Sequence, residues 1–209
     1  NKGFDIIIAS IGELNKKNII HGNNIKPEDT VIGLRSSGIH SNGITLARKI
    51  LLKKWGGKYE PHDTPDGLNR EIVYEVLEPT KIYVKPFLNA AKQTEIKGAV
   101  HITGDAYLKF KNLMKFSKGI GFEFNNFKPQ PIFNLIQKTA TQTGRAIKGE
   151  EMLKTLNMGW GFAIVVNKTD EDSTIDSLEK SGAEAETIGK ITNTQKIVAT
   201  YKGKKLELL

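Results

Sequence analysis

The chain has 209 residues, 38% of them hydrophobic and 26% charged, which marks a globular protein able to bury one sizeable core or at most two small ones. It contains no cysteine, which excludes disulfides, thiolate nucleophiles and zinc sites built on thiolate. A net charge of +8 raises nucleic acid as a partner, but Asp and Glu interrupt the lysines and no nucleic-acid-binding motif accompanies them, so a solvated lysine-rich surface is expected, one that also suits phosphorylated metabolites.

At the amino end, Asn1-Lys2-Gly3-Phe4-Asp5-Ile6 lacks the basic, apolar, small-residue order of a signal peptide. The chain has no initiator Met and enters a strand-like apolar run over residues 4–12 almost at once, so it is expected to be a piece of something longer. No apolar run approaches the roughly 20 residues that cross a bilayer. Polar turns follow near Asn15 and at 21–24, and a second strand is predicted over 30–34. After a loop of small polar residues, Ile44, Ala47, Ile50 and Leu51 recur at helical spacing.

Residues 55–69, with Gly56, Gly57, Pro61, Pro65 and Gly67, read as a loop; helices are predicted near 71–76 and 82–93, and a buried strand over 99–103. Tyr107, Phe110 and Met114 share one helical face, and 119–124 reads as a strand. Pro131 sits at the favoured first-turn position of a helix through Lys138. Helices at 150–156 and 170–181, the latter with Ile175 and Leu178 inward, flank a strand at 161–166, and short strands at 185–191, 196–201 and 206–208 close the chain. Strands and helices interleave without a strict βαβα rhythm. That pattern predicts an α+β fold, a layered mixed sheet with helices, rather than a doubly wound one.

Three segments could carry chemistry. In the first, a strand runs through Ser36, Ser37, Gly38, Ile39, His40, Ser41, Asn42 and Gly43 directly into a helix, which Ser41 or Asn42 can cap. Free N–H groups at the helix start make such a loop an anion site, and Gly38 and Gly43 let the backbone come close to an oxyanion. The serines and Asn42 add side-chain donors, and His40 a donor near physiological pH. An ordinary capped turn with an exposed histidine explains the same residues. A serine-hydrolase elbow does not fit, because Leu34-Arg35-Ser36-Ser37-Gly38 lacks the first glycine.

The second segment is Val100-His101-Ile102-Thr103-Gly104-Asp105, where His101 is either functional or a hydrogen-bonded core residue and Asp105 either functional or the N-cap of the next helix. The third is Asn157-Met158-Gly159-Trp160-Gly161, whose alternate glycines indicate a tight turn or close backbone approach. Trp160 either packs on a base or is buried in the core. The four histidines show no metal-ligand spacing, so no metal site is expected, and neither a Walker A loop nor Gly-x-Gly-x-x-Gly is present.

Taken together and in order, these segments resemble the aminoimidazole ribonucleotide synthetase family, the phosphoribosylformylglycinamidine cyclo-ligases. The resemblance rests on Gly33-Leu34-Arg35-Ser36-Ser37-Gly38-Ile39-His40-Ser41-Asn42-Gly43, Leu77-Glu78-Pro79-Thr80-Lys81-Ile82-Tyr83-Val84-Lys85, His101-Ile102-Thr103-Gly104, Glu150-Glu151-Met152, Asn157-Met158-Gly159-Trp160-Gly161 and Ile188-Gly189-Lys190-Ile191. It implies that residues 1–209 form the carboxy-terminal domain of such an enzyme, without the amino-terminal half that holds ATP, Mg2+ and much of the dimer interface. The family commonly continues His-Ile-Thr-Gly with two more glycines and Leu, whereas here Asp105-Ala106-Tyr107 follow.

The resemblance further implies ATP-dependent ring closure of formylglycinamidine ribonucleotide to aminoimidazole ribonucleotide in purine biosynthesis, by a cytoplasmic enzyme that is a homodimer at full length. Its partners would be that ribonucleotide and ATP, with no nucleic acid and no membrane. Catalytic roles fall to His40 and His101, and phosphate or substrate binding to Ser36, Ser37, Gly38, Ser41, Asn42, Gly43, Thr103, Gly104 and Asp105. The isolated chain is expected to fold but to be catalytically silent. The alternatives are a non-catalytic module that binds phosphorylated metabolites, or a sister enzyme such as formylglycinamidine ribonucleotide synthetase.

Overall fold

Short apolar strands form the centre of the molecule, and helices cover both faces. The computed structural model describes residues 7–209. Its strands are β1 (Thr30–Arg35), β2 (Gly98–His101), β3 (Gly121–Phe124), β4 (Trp160–Val166), β5 (Ala185–Thr192), β6 (Ile197–Tyr201) and β7 (Lys204–Glu207). Its helices are α1 (Ile44–Leu51), α2 (Ile72–Val76), α3 (Val84–Gln93), α4 (Lys111–Met114), α5 (Pro131–Gln142), α6 (Gly149–Thr155) and α7 (Glu171–Lys180). All seven strands join one sheet in the order β2-β4-β1-β5-β3-β6-β7. Neighbours are antiparallel except β3 and β6, which run parallel. The expected layered α+β architecture with a mixed sheet is the one observed.

Side-chain alternation along the strands divides the core in two. On β1, Val31 joins the cluster that contains Ala47 and Leu51 of α1, Phe133 and Ile136 of α5, and Met152 of α6. Its neighbours Ile32 and Leu34 point the other way, to Ala90 of α3 and Leu178 of α7. The larger cluster is rich in rings: Phe110 lies 5.0 Å from Phe122 and 4.8 Å from Phe124, and Tyr107 lies 5.0 Å from Phe124. Each fully buried ring of this kind contributes roughly 2–3 kcal/mol.

The register places the functional segments. Leu34 of β1 and His101 of β2 both pair with Phe162 near the start of β4. Because β1 and β2 each run antiparallel to β4, both end where β4 begins. The loop after β1, the loop after β2 and the turn before β4 therefore meet at one end of the sheet.

Several expectations need correction. The strand predicted over 4–12 falls partly outside the described residues, and 7–12 form no strand; Ile7, Ile8 and Ile11 are exposed. An apolar run becomes a strand only where another strand satisfies its backbone groups, and none pairs with it among the described residues. Tyr107, Phe110 and Met114 do not share one helix: Tyr107 and Phe110 are buried from a 3-10 turn over Ala106–Phe110, and Met114 ends α4. The predicted 170–181 helix likewise opens with a 3-10 turn, Lys168–Asp170, before α7.

Candidate functional site

Loop 36–43 is held from beneath by Asn157. Its side-chain amide donates to the Gly38 carbonyl (2.8 Å), while its Oδ1 accepts from the Ser36 hydroxyl (3.1 Å) and the Gly159 N–H (2.9 Å). The Tyr107 hydroxyl in turn donates to the Asn157 carbonyl (3.0 Å), and the Gln130 amide to the Ser36 carbonyl (2.6 Å). From the other side the Ser37 hydroxyl donates to the Pro79 carbonyl (2.6 Å), and Tyr83 Oη to the Arg35 carbonyl (3.1 Å). The hydroxyls of Ser36 and Ser37 are thus engaged in shaping the loop.

Neither Ser41 nor Asn42 caps α1. The N-cap is Gly43, in the left-handed region at φ 76°, and no side chain bonds to the helix start; the Asn42 amide faces the Ser41 hydroxyl instead (3.4 Å). A Cβ at Gly43 would stand 2.2 Å from Leu156, so glycine is required twice over. The consequence is chemical. The N–H groups of Ser41 and of the first helical turn, Ile44, Thr45 and Leu46, have no acceptor among the described residues, and they stand at the positive end of the helix dipole.

The two histidines exchange the environments that an unaided reading assigns them. His40 is not exposed: only 3% of it meets solvent, and its backbone is left-handed (φ 57°). Its Nε2 accepts the Ser37 N–H at 3.1 Å, which leaves the proton on Nδ1, a buried atom without a partner among the described residues. Burial, then the neighbouring His101 and Lys81, lower its pKa to about 4, so the ring is neutral at physiological pH. His101 is not a core residue but an exposed one at the end of β2. Partial desolvation, then the Lys109 ammonium, hold its pKa below the usual imidazole value.

The Tyr83 ring touches both, with its centroid 6.3 Å from that of His40 and 6.0 Å from that of His101. Tyr83 fits only because position 161 is glycine; a Cβ there would stand 2.1 Å from Tyr83 Oη and 2.5 Å from the His40 ring. On the second loop Thr103 Oγ1 receives the Lys109 ammonium, and a Cβ at Gly104 would stand 3.5 Å from Asn42 Oδ1, so the two loops are neighbours. Asp105 is not a side-chain N-cap. It sits at φ 64° with its carboxylate 3.7 Å from the Lys111 ammonium.

Of the seven non-glycine residues with positive φ among the described residues, three (His40, Asp105 and Met158) lie in these three segments, and a fourth, Ala106, directly follows the second. Such strain persists where the surroundings over-determine it, and it gathers at functional sites. Trp160 is core, fully buried, with its indole N–H on the Asn126 carbonyl (2.8 Å). Tyr83, Gln130, Lys109 and Lys81 escaped sequence reasoning as site residues. Tyr83 and Lys81 lay inside a segment already singled out, and Asn157 opened another.

Among the described residues no three His, Asp or Glu side chains stand together as a metal-binding group. No described helix is long and apolar enough to cross a membrane. An apolar cleft of about 470 Å3 lies next to the site, between α1 and α2, but none of its lining residues belongs to loop 36–43.

Comparison with known proteins fits this arrangement. A sequence profile of the AIR synthase related protein, C-terminal domain, matches residues 26–202. The chain belongs to this family. A phosphoribosylformylglycinamidine cyclo-ligase from Methanopyrus kandleri is 35% identical over 209 residues, covering 99% of this chain and 56% of the relative. One from Bacillus pumilus is 40% identical over 191 residues, covering 90% of this chain and 53% of the relative. The chain thus spans about half the length of the curated relatives it matches. A solved structure of T. maritima PurL complexed with ATP shares the fold at a TM-score of 0.54 and 9% identity, covering 93% of this chain and 27% of that one.

Proposed function

We propose that this chain is the carboxy-terminal part of a phosphoribosylformylglycinamidine cyclo-ligase, which closes the imidazole ring of aminoimidazole ribonucleotide at the expense of ATP. The observation that carries the reading is that free N–H groups at the start of α1 and the neighbouring His101 and Lys109 stand on adjacent loops at one end of the sheet. Preorganised donors of this kind bind the anionic oxygens of a phosphorylated substrate and of the phosphoryl group that activates it.

ATP, when bound, supplies the phosphoryl group that turns the formyl oxygen into a leaving group. The amidine nitrogen then bonds to the formyl carbon, the carbon–oxygen bond to phosphate breaks, and the nitrogen gives up a proton. This chain's residues hold and orient. Ser41, Asn42, Gly43 and the first turn of α1 cradle a phosphoryl group, with Gly38 giving the loop its close approach. Thr103, Gly104 and Asp105 line the facing bank, and His101 touches the reacting groups as proton carrier or donor. His40, with Ser36 and Ser37, fixes the cradle; its lone pair is already committed to the Ser37 N–H. The nearby carboxylates of Glu75 and Glu78 are each held by Arg70 at 2.7 Å, so they do not fit a metal ion, and no step here runs through Mg2+.

In this reading the whole enzyme is a cytoplasmic homodimer that binds ATP and formylglycinamidine ribonucleotide. Neither nucleic acid nor membrane is a partner, and many of the lysines are paired with carboxylates. The test is formation of aminoimidazole ribonucleotide by the chain alone and joined to the amino-terminal half of the Methanopyrus kandleri relative. Product is expected from the joined protein only. Ligand binding without product in a well-folded joined protein would overturn the reading in favour of a binding module.

A further inference from the structure

We propose that Lys109 is the anion anchor of this site, holding the phosphomonoester of a sugar-phosphate substrate on the His101–Thr103 bank while the start of α1 holds a second anionic group. This rests on the functional reading above and adds a residue and a division of labour to it. The lysines around the site differ in one respect. Lys81 is paired with Glu184 at 3.3 Å and Lys111 with Asp105 at 3.7 Å. Lys109 has no carboxylate within ion-pair distance among the described residues; its ammonium rests on the neutral Thr103 hydroxyl. It is half-buried, and it acts on an imidazole that stands exposed beside it.

A cation left without a counter-charge beside a hydroxyl and an imidazole is poised for an anion. Thr103 holds the ammonium on the near side and adds its own hydroxyl, and His101 contributes a ring nitrogen. The 3-10 turn that presents Lys109 is rigid, because Tyr107 and Phe110 on either side of it are fully buried. On the opposite bank the cation beside loop 36–43, Lys81, is paired with Glu184, so the start of α1 offers N–H groups and the second bank an ammonium without a carboxylate partner among the described residues.

The experiment is an NMR titration of the folded chain with inorganic phosphate, reading the His101 imidazole, for the natural sequence, Lys109→Gln and Lys109→Arg. Phosphate is expected to shift His101, Lys109→Gln to weaken binding at least about tenfold, and Lys109→Arg to retain most of it. Without ligand, Lys109→Gln should move the His101 pKa upward, because the neighbouring positive charge that depresses it is gone. Equal phosphate affinity in Lys109→Gln, an unmoved His101 pKa, or no phosphate effect in the natural chain overturns the proposal. Phosphate binding that depends on Lys109 in a chain that closes no ring when joined would sink the function and leave this anchor standing.

Discussion

His40 is sealed beneath the loop that carries it, whereas His101 stands open at the end of β2, and the Tyr83 ring touches both. The first is a strut: a neutral imidazole whose acceptor nitrogen replaces a backbone carbonyl for the Ser37 N–H. The second has a solvent-facing ring and a lysine beside it. Two histidines on neighbouring loops therefore sit in different environments, and what separates them is burial and partner geometry, not residue type. The loops differ in the same way. Loop 36–43 is pinned by Asn157, Gln130 and Tyr83, while loop 102–105 is held through the Lys109 bond to Thr103.

Acid breaks the comparison hardest. His40 titrates near 6.5 when unfolded and at about 4 in the native chain. The unfolded chain therefore binds more protons between those values; stability is intact above 6.5 and falls as pH drops through the window. The full loss is on the order of 3 kcal/mol. Denaturant unfolding at neutral and mildly acid pH should show it, and His40→Asn, which tolerates a left-handed backbone, should show a flatter pH dependence. An unchanged pH dependence in that variant would mean that His40 is not the buried neutral strut described.

Next in size is Gly161→Ala. Its methyl would collide with Tyr83 Oη and the His40 ring, at an overpacking cost of about 2 kcal/mol. Displacing Tyr83 should also open His40 to water and raise its pKa, a shift readable by NMR. Stability and His40 titration both unaltered would contradict the close packing of that trio.

The smallest effect has the opposite sign. Asp105 holds a left-handed backbone that glycine adopts without strain, and its carboxylate makes only an exposed pair with Lys111. Asp105→Gly should stabilise the chain by about 1 kcal/mol in thermal unfolding. A clear loss of stability would show that the carboxylate does more than face solvent.

The sequence was most readable where local rules act alone. Apolar periodicity placed α1, Pro131 opened α5, and the lack of a βαβα rhythm pointed to the mixed sheet. The strand-loop-helix order around 36–43 was legible without reference to tertiary structure. What stayed hidden depends on partners distant in the chain. His40 looks exposed until β4 is laid beside it, and His101 looks buried until β2 is seen to end there. Asn157, 121 residues from Ser36, gives no local sign that it holds the loop. The apolar run at 7–12 reads as a strand by composition, but pairing decides strands, and it has no partner among the described residues.

In the proposed site both the start of α1 and His101 meet ligand, while His40 stays buried behind the first loop. The most direct measurement follows the amide signals of Ile44, Thr45 and Leu46 and both imidazoles as formylglycinamidine ribonucleotide is added to the folded chain. The account predicts movement of those amides and of His101, with His40 still neutral and bonded to Ser37. A ligand that moves His40 and leaves His101 and the first turn of α1 untouched would contradict it.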